Sequence, residues 1–379
     1  MKRVMVCRLL ILLWLSVGLV LVGCASPPLS SPTISTSSSE TLSPTPGLLR
    51  VAFLYFGKAA DSNWTLAHEQ GRLALLALPG VEADARQEVP AGAAALSVLR
   101  ELATSDYDVI ISTSLAFQDA TWKAAEEFPQ VRFLQCDGSQ ARANLSTYFG
   151  WIEEPLYLAG MVAAGTSRSG KLGFVAAFPI SEVIRNINAF TLGARSVDPQ
   201  ATVQVTWCLS WDDRVIERQK ATELVDFGCD VIAQWQDNEE ALLVAQERGV
   251  YGIGIHTDMS AAAPQAVLTS AVWNWSVYYT QAIRKIREGG APETDYRQGM
   301  AQGLVALTPL SSVVPEPVRG LVAAKASDLR SVDFPGIFVG PLIDQLGTRR
   351  VDEGRQMTLT ELQMVDWFVQ GVIGEIPSD

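Results

Sequence analysis

Short apolar, β-branched runs alternate with helical patterns along most of this chain of 379 residues, and that alternation restricts the fold more than any other feature. The expected strands are Arg50 to Phe56, Val109 to Thr113, Val131 to Cys136, Lys171 to Ala176, Thr202 to Trp207, Val231 to Gln234 and Tyr251 to Ile255. Between them, Ser62 to Leu78, Ala116 to Phe128, Pro155 to Arg168, Ser181 to Ser196 and Asp213 to Phe227 are each long enough for a crossover helix. Such alternation specifies an α/β protein, because a strand returns parallel to its predecessor only through a long crossover.

Ligands of parallel sheets sit outside the carboxyl ends of the strands, so the residues just after each run are the candidate site. Asp61, Asn63 and Trp64 follow the first strand, Phe117 follows "VIISTS", and Phe178 follows "KLGFVAA". Trp211 and Asp212 follow "TVQVTW", and Trp235, Gln236 and Asp237 follow "DVIAQ". His256 and Asp258 follow "YGIGI", while Trp273 and Asn274 follow "AVLTSA". Aromatic, amide and carboxylate side chains recur there and cationic ones hardly do. Such a lining suits an uncharged or weakly basic flat solute, which needs faces to stack on and acceptors for its N–H groups.

The N-terminus places the protein outside the cytoplasm. Lys2, Arg3 and Arg8 precede or open an apolar run from Leu9 to Val22, the charged and apolar regions of an export signal. The run ends at Leu21-Val22-Gly23-Cys24, which resembles the lipobox of bacterial lipoproteins, where the Cys is lipidated and becomes the new N-terminus. Residues 25–47 are nearly all Ser, Thr and Pro, too poor in apolar side chains to fold and expected to form an extended tether. The part from Leu48 onward is long enough for two lobes with separate cores.

Composition excludes several functions. The formal charge is −12, and losing Lys2, Arg3 and Arg8 with the signal makes it more negative, so no basic surface is expected to bind nucleic acid. Cys136, Cys208 and Cys229 remain after Cys7 and Cys24 are set aside, an odd set that allows at most one internal disulfide. "GTSRSGK" at 165–171 mimics a phosphate loop, but Leu172 occupies the Ser/Thr position and the stretch precedes a strand; it reads as a helix end closed by Gly170. With two His in the chain, at 68 and 256, neither a metal site nor a Ser-His-Asp triad is expected, and His68 and His256 fall in separate lobes. No catalytic residue, metal or cofactor is assigned.

Several stretches carry a family resemblance. "VAFLYFGKAADSNWTLAHEQGR", "GWIEEPLYLAGMVAAGTSRSGKLGFVAAFPISEVIRNINAFTLGARSVDP", "WDD", "GCDVIAQ", "ERGVYGIGIHTDMS", "LTSAVWNWSVYY" and "GPLIDQLG" are similar, in family order, to the basic membrane protein (BMP) family of lipoproteins, which includes purine-nucleoside receptors of ABC transporters. The resemblance implies a type I periplasmic-binding-protein fold, two doubly wound parallel-sheet lobes joined by a three-segment hinge, with a solute clamped between them. It implies the boundaries 48–150 for lobe 1, 151–270 for lobe 2, 271–313 for a return to lobe 1, and 314–379 for a C-terminal segment shared with lobe 2. By the same resemblance Asp61, Trp64, Phe117, Phe178, Asp237 and Asp258 fall where members line the cleft, and Asp258 matches a carboxylate that holds ribose hydroxyls. Trp273, with Asn274 beside it, stands where nucleoside-binding members place a Lys. Trp273 and Asn274 are therefore assigned to the cleft, and Trp275, Tyr278 and Tyr279 to the buried side of the next helix.

The expected protein is a monomeric lipoprotein anchored through Cys24, binding a purine base through Asp61, Asn63, Trp64, Phe117, Phe178, Trp211, Gln236, Asp237, Asp258, Trp273 and Asn274. Its expected partners are an ABC permease and ATPase. The alternatives are a nucleoside, another small heteroaromatic solute or a sugar as ligand, a sensory receptor, and a nucleoside-cleaving enzyme.

Overall fold

The expected alternation is realised as two separate sheets in a computed structural model that describes residues 47–378 except 332, 333 and 335. The signal, Cys24 and nearly all of the tether lie outside the described residues. The strands are β1 (Leu49–Leu54), β2 (Val81–Arg86), β3 (Val109–Ser112), β4 (Arg132–Cys136), β5 (Leu145–Gly150), β6 (Lys171–Ala176), β7 (Thr202–Trp207), β8 (Val231–Trp235), β9 (Tyr251–His256), β10 (Val267–Trp273), β11 (Asp295–Gln298), β12 (Val305–Leu307), β13 (Leu342–Ile343), β14 (Arg349–Val351) and β15 (Val372–Ile373). The helices are α1 (Asn63–Leu75), α2 (Ala93–Ala103), α3 (Gln118–Glu127), α4 (Glu153–Thr166), α5 (Ser181–Val197), α6 (Arg214–Asp226), α7 (Glu240–Glu247), α8 (Trp275–Arg287), α9 (Glu316–Leu329) and α10 (Leu359–Gln363).

The first sheet has the order β11-β5-β4-β3-β1-β2 and the second β12-β10-β9-β8-β6-β7-β15. All pairs in the first are parallel. In the second, β12 runs antiparallel to β10. Both orders reverse direction along the chain, as in doubly wound sheets. Central strands such as β3 and β8 are buried throughout, which is why they read as continuous apolar runs.

The chain passes between the sheets after β5, after β10 and after β11. Backbone bonds tie these crossings together: Trp151 N–H donates to Gln298 O at 2.9 Å and Asn274 N–H to Leu304 O at 2.7 Å. Glu154 adds a side-chain tie, accepting the Met300 N–H at 2.7 Å. At the start of the first crossing, a Cβ on Gly150 would lie 2.8 Å from the Trp273 ring, so the crossings pack only with glycine there. The return to the first sheet covers Trp275–Gln298 and is narrower than 271–313, because β10 runs on to Trp273 in the second sheet and β12 rejoins it.

Helix α8 accounts for most of the aromatic run. Trp275, Tyr278, Tyr279, Ala282 and Ile283 are its buried residues, spaced i, i+3, i+4, i+7 and i+8 on one stripe. After α9 the chain forms the β13–β14 hairpin and then adds β15 parallel to β7 at the edge of the second sheet. Cys136, Cys208 and Cys229 are buried free thiols. Gly170 takes a left-handed φ of 67° after α4, and the loop's N–H groups at Arg168 and Ser169 are occupied by the Asp230 carboxylate.

Candidate ligand-binding site

The carboxyl ends of strands from both lobes meet at the first turn of α1. Ser62 caps that helix, its Oγ accepting the Thr65 N–H at 3.1 Å, as an N-cap serine does. The same hydroxyl donates to Asp237 Oδ2, just past β8, at 2.7 Å. Asn63 N–H donates to the Asp237 carbonyl at 2.6 Å, and Asn63 Nδ2 to the same oxygen at 3.1 Å. Thr257, just past β9, donates its hydroxyl to Asn63 Oδ1 at 2.5 Å.

Beside these bonds lies an aromatic assembly. The rings of His68, Trp275 and Trp273 form a stack, with centroids 4.7 Å and 4.6 Å apart and planes within 10° and 12°. Trp64 stands beside the stack at 74°, 77° and 88° to these three rings and at 80° to His256. Its Nε1–H donates to the Thr113 carbonyl at 3.0 Å, which fixes a half-buried ring in place. His256 takes a left-handed φ of 70°, and its Nδ1 accepts the Trp273 Nε1–H at 3.1 Å. Burial pushes the His256 imidazole down to about 3 and lowers His68 as well, so both rings are neutral at physiological pH. His68 Nδ1 lies 2.7 Å from Tyr279 Oη, which lies 2.9 Å from Tyr148 Oη.

The polar side of the site is acidic and amide-rich. Burial pushes the Asp237 carboxyl up to about 7, with Asp212 adding to the rise and the Ser62 hydroxyl opposing it. Asn238 Nδ2 donates to Asp212 Oδ1 at 2.7 Å and to Glu217 Oε1 at 2.9 Å. Gln236 is fully buried, and neither end of its amide has a hydrogen-bond partner among the described residues. A buried amide left so costs free energy that a suitable partner would recover. Nearer the crossings, Asp137 after β4 and Glu182 in the first turn of α5 are both raised, chiefly by burial, beside the buried Arg185–Glu153 ion pair. Among the described residues, no group of three or more His, Cys, Asp or Glu is placed to hold a metal ion.

The expected residues divide into two groups. Asn63, Trp64, Asp237 and Trp273 come together, and Gln236 lies in the chain between Trp235, whose ring contacts His256, and Asp237. Phe178 and Trp211 pair with centroids 5.2 Å apart, and the Trp211 carbonyl accepts the Asp237 N–H at 3.0 Å. The others do not join them. Phe117 is fully buried in a separate apolar cluster with Leu54, Leu99, Ile110 and Phe133, because the chain turns into a short 3-10 helix after β3 and carries the ring under α3. Asp61 is exposed. Asp258 is also exposed and accepts the Ser260 N–H at 2.9 Å, so its carboxylate closes its own turn. Asn274 is exposed at the N-terminus of α8, accepting the Ser276 hydroxyl.

Ser62, Thr257 and His68 stand at the site without being among the residues expected there. The two histidines do lie in separate lobes, yet both meet Trp64. Trp64 and His68 stand four residues apart on α1, a spacing that places both on one helical face, and this signal was available for His68.

Comparison with known proteins identifies the family. The sequence model of the Bmp family, described as ABC transporter substrate-binding protein PnrA-like, matches residues 48–329. The chain belongs to this family. A purine-binding protein of Brucella abortus (strain 2308) is 33% identical to this Bmp protein over 331 residues, covering 87% of this chain and 94% of the relative. A Haloferax volcanii protein, described as a putative ABC transporter glucose-binding protein, is also 33% identical, over 330 residues, covering 87% and 82%. A solved ABC transporter solute-binding protein from Conexibacter woesei shares the fold with a TM-score of 0.64 at 22% identity, covering 74% of this chain and 96% of that one. As a Bmp member the protein is the substrate-binding component of an ABC transporter, with a small-molecule solute and a permease–ATPase complex as partners. Among the described residues no helix is long and apolar enough to cross a membrane.

Proposed function

We propose that this Bmp protein is a monomeric, envelope-anchored receptor, held by lipid on Cys24, that captures a free purine base and performs no chemistry on it. Trp64, Gln236 and Trp273 are the residues proposed to meet the ring, with Phe178 and Trp211 beside them. The observation that carries this reading is Trp273. The indole is 4% exposed, it stacks on Trp275, and its one donor is engaged by His256. A side chain so occupied fills space and offers nothing to a ribose hydroxyl, which would be buried short of a partner at a cost of about 1 to 3 kcal/mol. Asp258 supports the same preference, since its carboxylate is exposed and engaged within its own turn.

The half-buried Trp64 ring supplies a face for a flat solute, and the unpartnered Gln236 amide supplies one donor side and one acceptor side. A purine edge presents both kinds of group. Mass spectrometry of the solute released when gently purified protein is denatured tests the reading: a purine base is expected, and a nucleoside or a hexose in its place contradicts it. Incubation with inosine should leave the nucleoside intact, whereas release of hypoxanthine would point to an enzyme.

A further inference from the structure

We infer that Ser62 and Asn63 of the first lobe, with Asp237 and Thr257 of the second, form a latch that holds the lobes together, so that Asn63 and Asp237 govern solute retention without touching the solute. Ser62 and Asn63 open α1, which follows β1 of the first sheet, whereas Asp237 and Thr257 follow β8 and β9 of the second. Ser62 Oγ–H to Asp237 Oδ2, Asn63 N–H and Nδ2–H to Asp237 O, and Thr257 Oγ–H to Asn63 Oδ1 all cross from one lobe to the other.

These bonds use most of what the four residues can offer. The Asp237 carbonyl already accepts two donors, and Asn63 engages its backbone N–H and both ends of its amide, the second amide proton reaching toward Glu239 Oε2 at 3.4 Å. Ser62 Oγ accepts from Thr65 while donating to Asp237. Gln236, adjacent in the chain, shows the contrasting condition, with its whole amide unengaged. Side chains occupied with each other are poorly suited to read a ligand, whereas their shared bonds must all break for the lobes to part. Ser62 also explains how one helix cap serves two purposes, since its acceptor side fixes α1 and its donor side fixes the partner lobe.

The inference rests on the reading of the two lobes as a solute clamp and is independent of which solute is clamped. It is tested in the mature chain with Thr257→Val, which keeps the shape and removes the hydroxyl, and Thr257→Ser, which restores the donor. Asn63→Ala removes the centre of the latch. Adenine and hypoxanthine serve as probes in stopped-flow and calorimetric titrations, and spin labels on the two lobes report the inter-lobe distance. Thr257→Val should speed dissociation by about three- to ten-fold, by the same factor for both bases, with association nearly unchanged. Thr257→Ser should behave as wild type, and Asn63→Ala should shift the distance distribution toward longer separations. Losses that differ between the two bases would show contact with the solute and overturn the latch, as would an unchanged dissociation rate together with an unchanged distance distribution. If neither base binds, the purine reading fails, and the distance distributions of wild type and Asn63→Ala still decide the latch.

Discussion

Trp64 and Trp273 meet with ring centroids 5.7 Å apart and planes at 88°. One opens the first helix of the first lobe and the other ends a strand of the second. The contact therefore joins the lobes through two large apolar rings whose polar ends are already satisfied, by Thr113 and His256 respectively. A flat solute held here would lie against an aromatic wall that needs no rearrangement of hydrogen bonds to receive it, and low reorganisation favours affinity.

Removing that wall should be felt in binding more than in folding. Stacking of a base on an aromatic ring is worth roughly 1 to 3 kcal/mol, so Trp64→Ala is expected to weaken base binding by about five-fold to more than a hundred-fold. Circular dichroism of the variant should remain that of the wild type. Equal affinities by calorimetry would remove Trp64 from the site.

Asp237 is expected to make binding pH-dependent, with a definite sign. Its carboxyl is held at about 7 in the joined lobes against an ordinary 3.8, so bringing the lobes together takes up a proton between those values. The contribution is fully present below about 4 and is lost as pH rises through about 7. Of the groups around it, His256 is held neutral and does not titrate in this window. Glu217, raised to about 8, belongs with Asp212 and Glu239 to the second lobe. Solute affinity should fall between about pH 4 and pH 7 and level off above that, and Asp237→Asn should flatten the profile. A profile equally steep in the variant would assign the dependence to another group.

Gly150 offers a test of the hinge. An added Cβ would meet the Trp273 ring at 2.8 Å and Val305 Cγ1 at 3.1 Å, so Gly150→Ala forces the first two crossings apart. Overpacking of this kind costs about 1 to 3 kcal/mol, and thermal denaturation should show a lowered midpoint. An unchanged midpoint would mean that the crossings yield without cost.

Much of the fold is legible because parallel strands buried on both faces must be apolar along their length. β6 falls at its expected bounds, Lys171–Ala176, for this reason, whereas β7 falls at Thr202–Trp207 because its buried and partly exposed residues alternate. β2 and β11 are not legible. They sit at the two edges of the first sheet, and "VEADAR" and "DYRQ" carry charges that an edge tolerates. The site is legible as a set of positions after strands, but the turn taken after each strand decides where a side chain goes. The 3-10 helix after β3 buries Phe117 in the lobe, and the left-handed His256 redirects the chain so that Asp258 closes a turn in solvent. The meeting of His68 and His256 at Trp64 depends on how the two lobes come together, and no spacing within either lobe encodes it.

The proposed lipid anchor is tested separately, since Cys24 lies outside the described residues. Cys24→Ala should yield protein that carries no acyl chain and no longer partitions into detergent. Continued fractionation with membranes after a high-salt wash would contradict the anchor.

Parallel calorimetric titrations of adenine, hypoxanthine, adenosine and inosine into ligand-free protein test the central claim most directly. If Trp273 takes the ribose space as proposed, with Asp258 engaged in its own turn, each base should bind at least about ten-fold more tightly than its nucleoside, the equivalent of one buried unpartnered hydroxyl. A nucleoside that matches or exceeds its base would contradict the account.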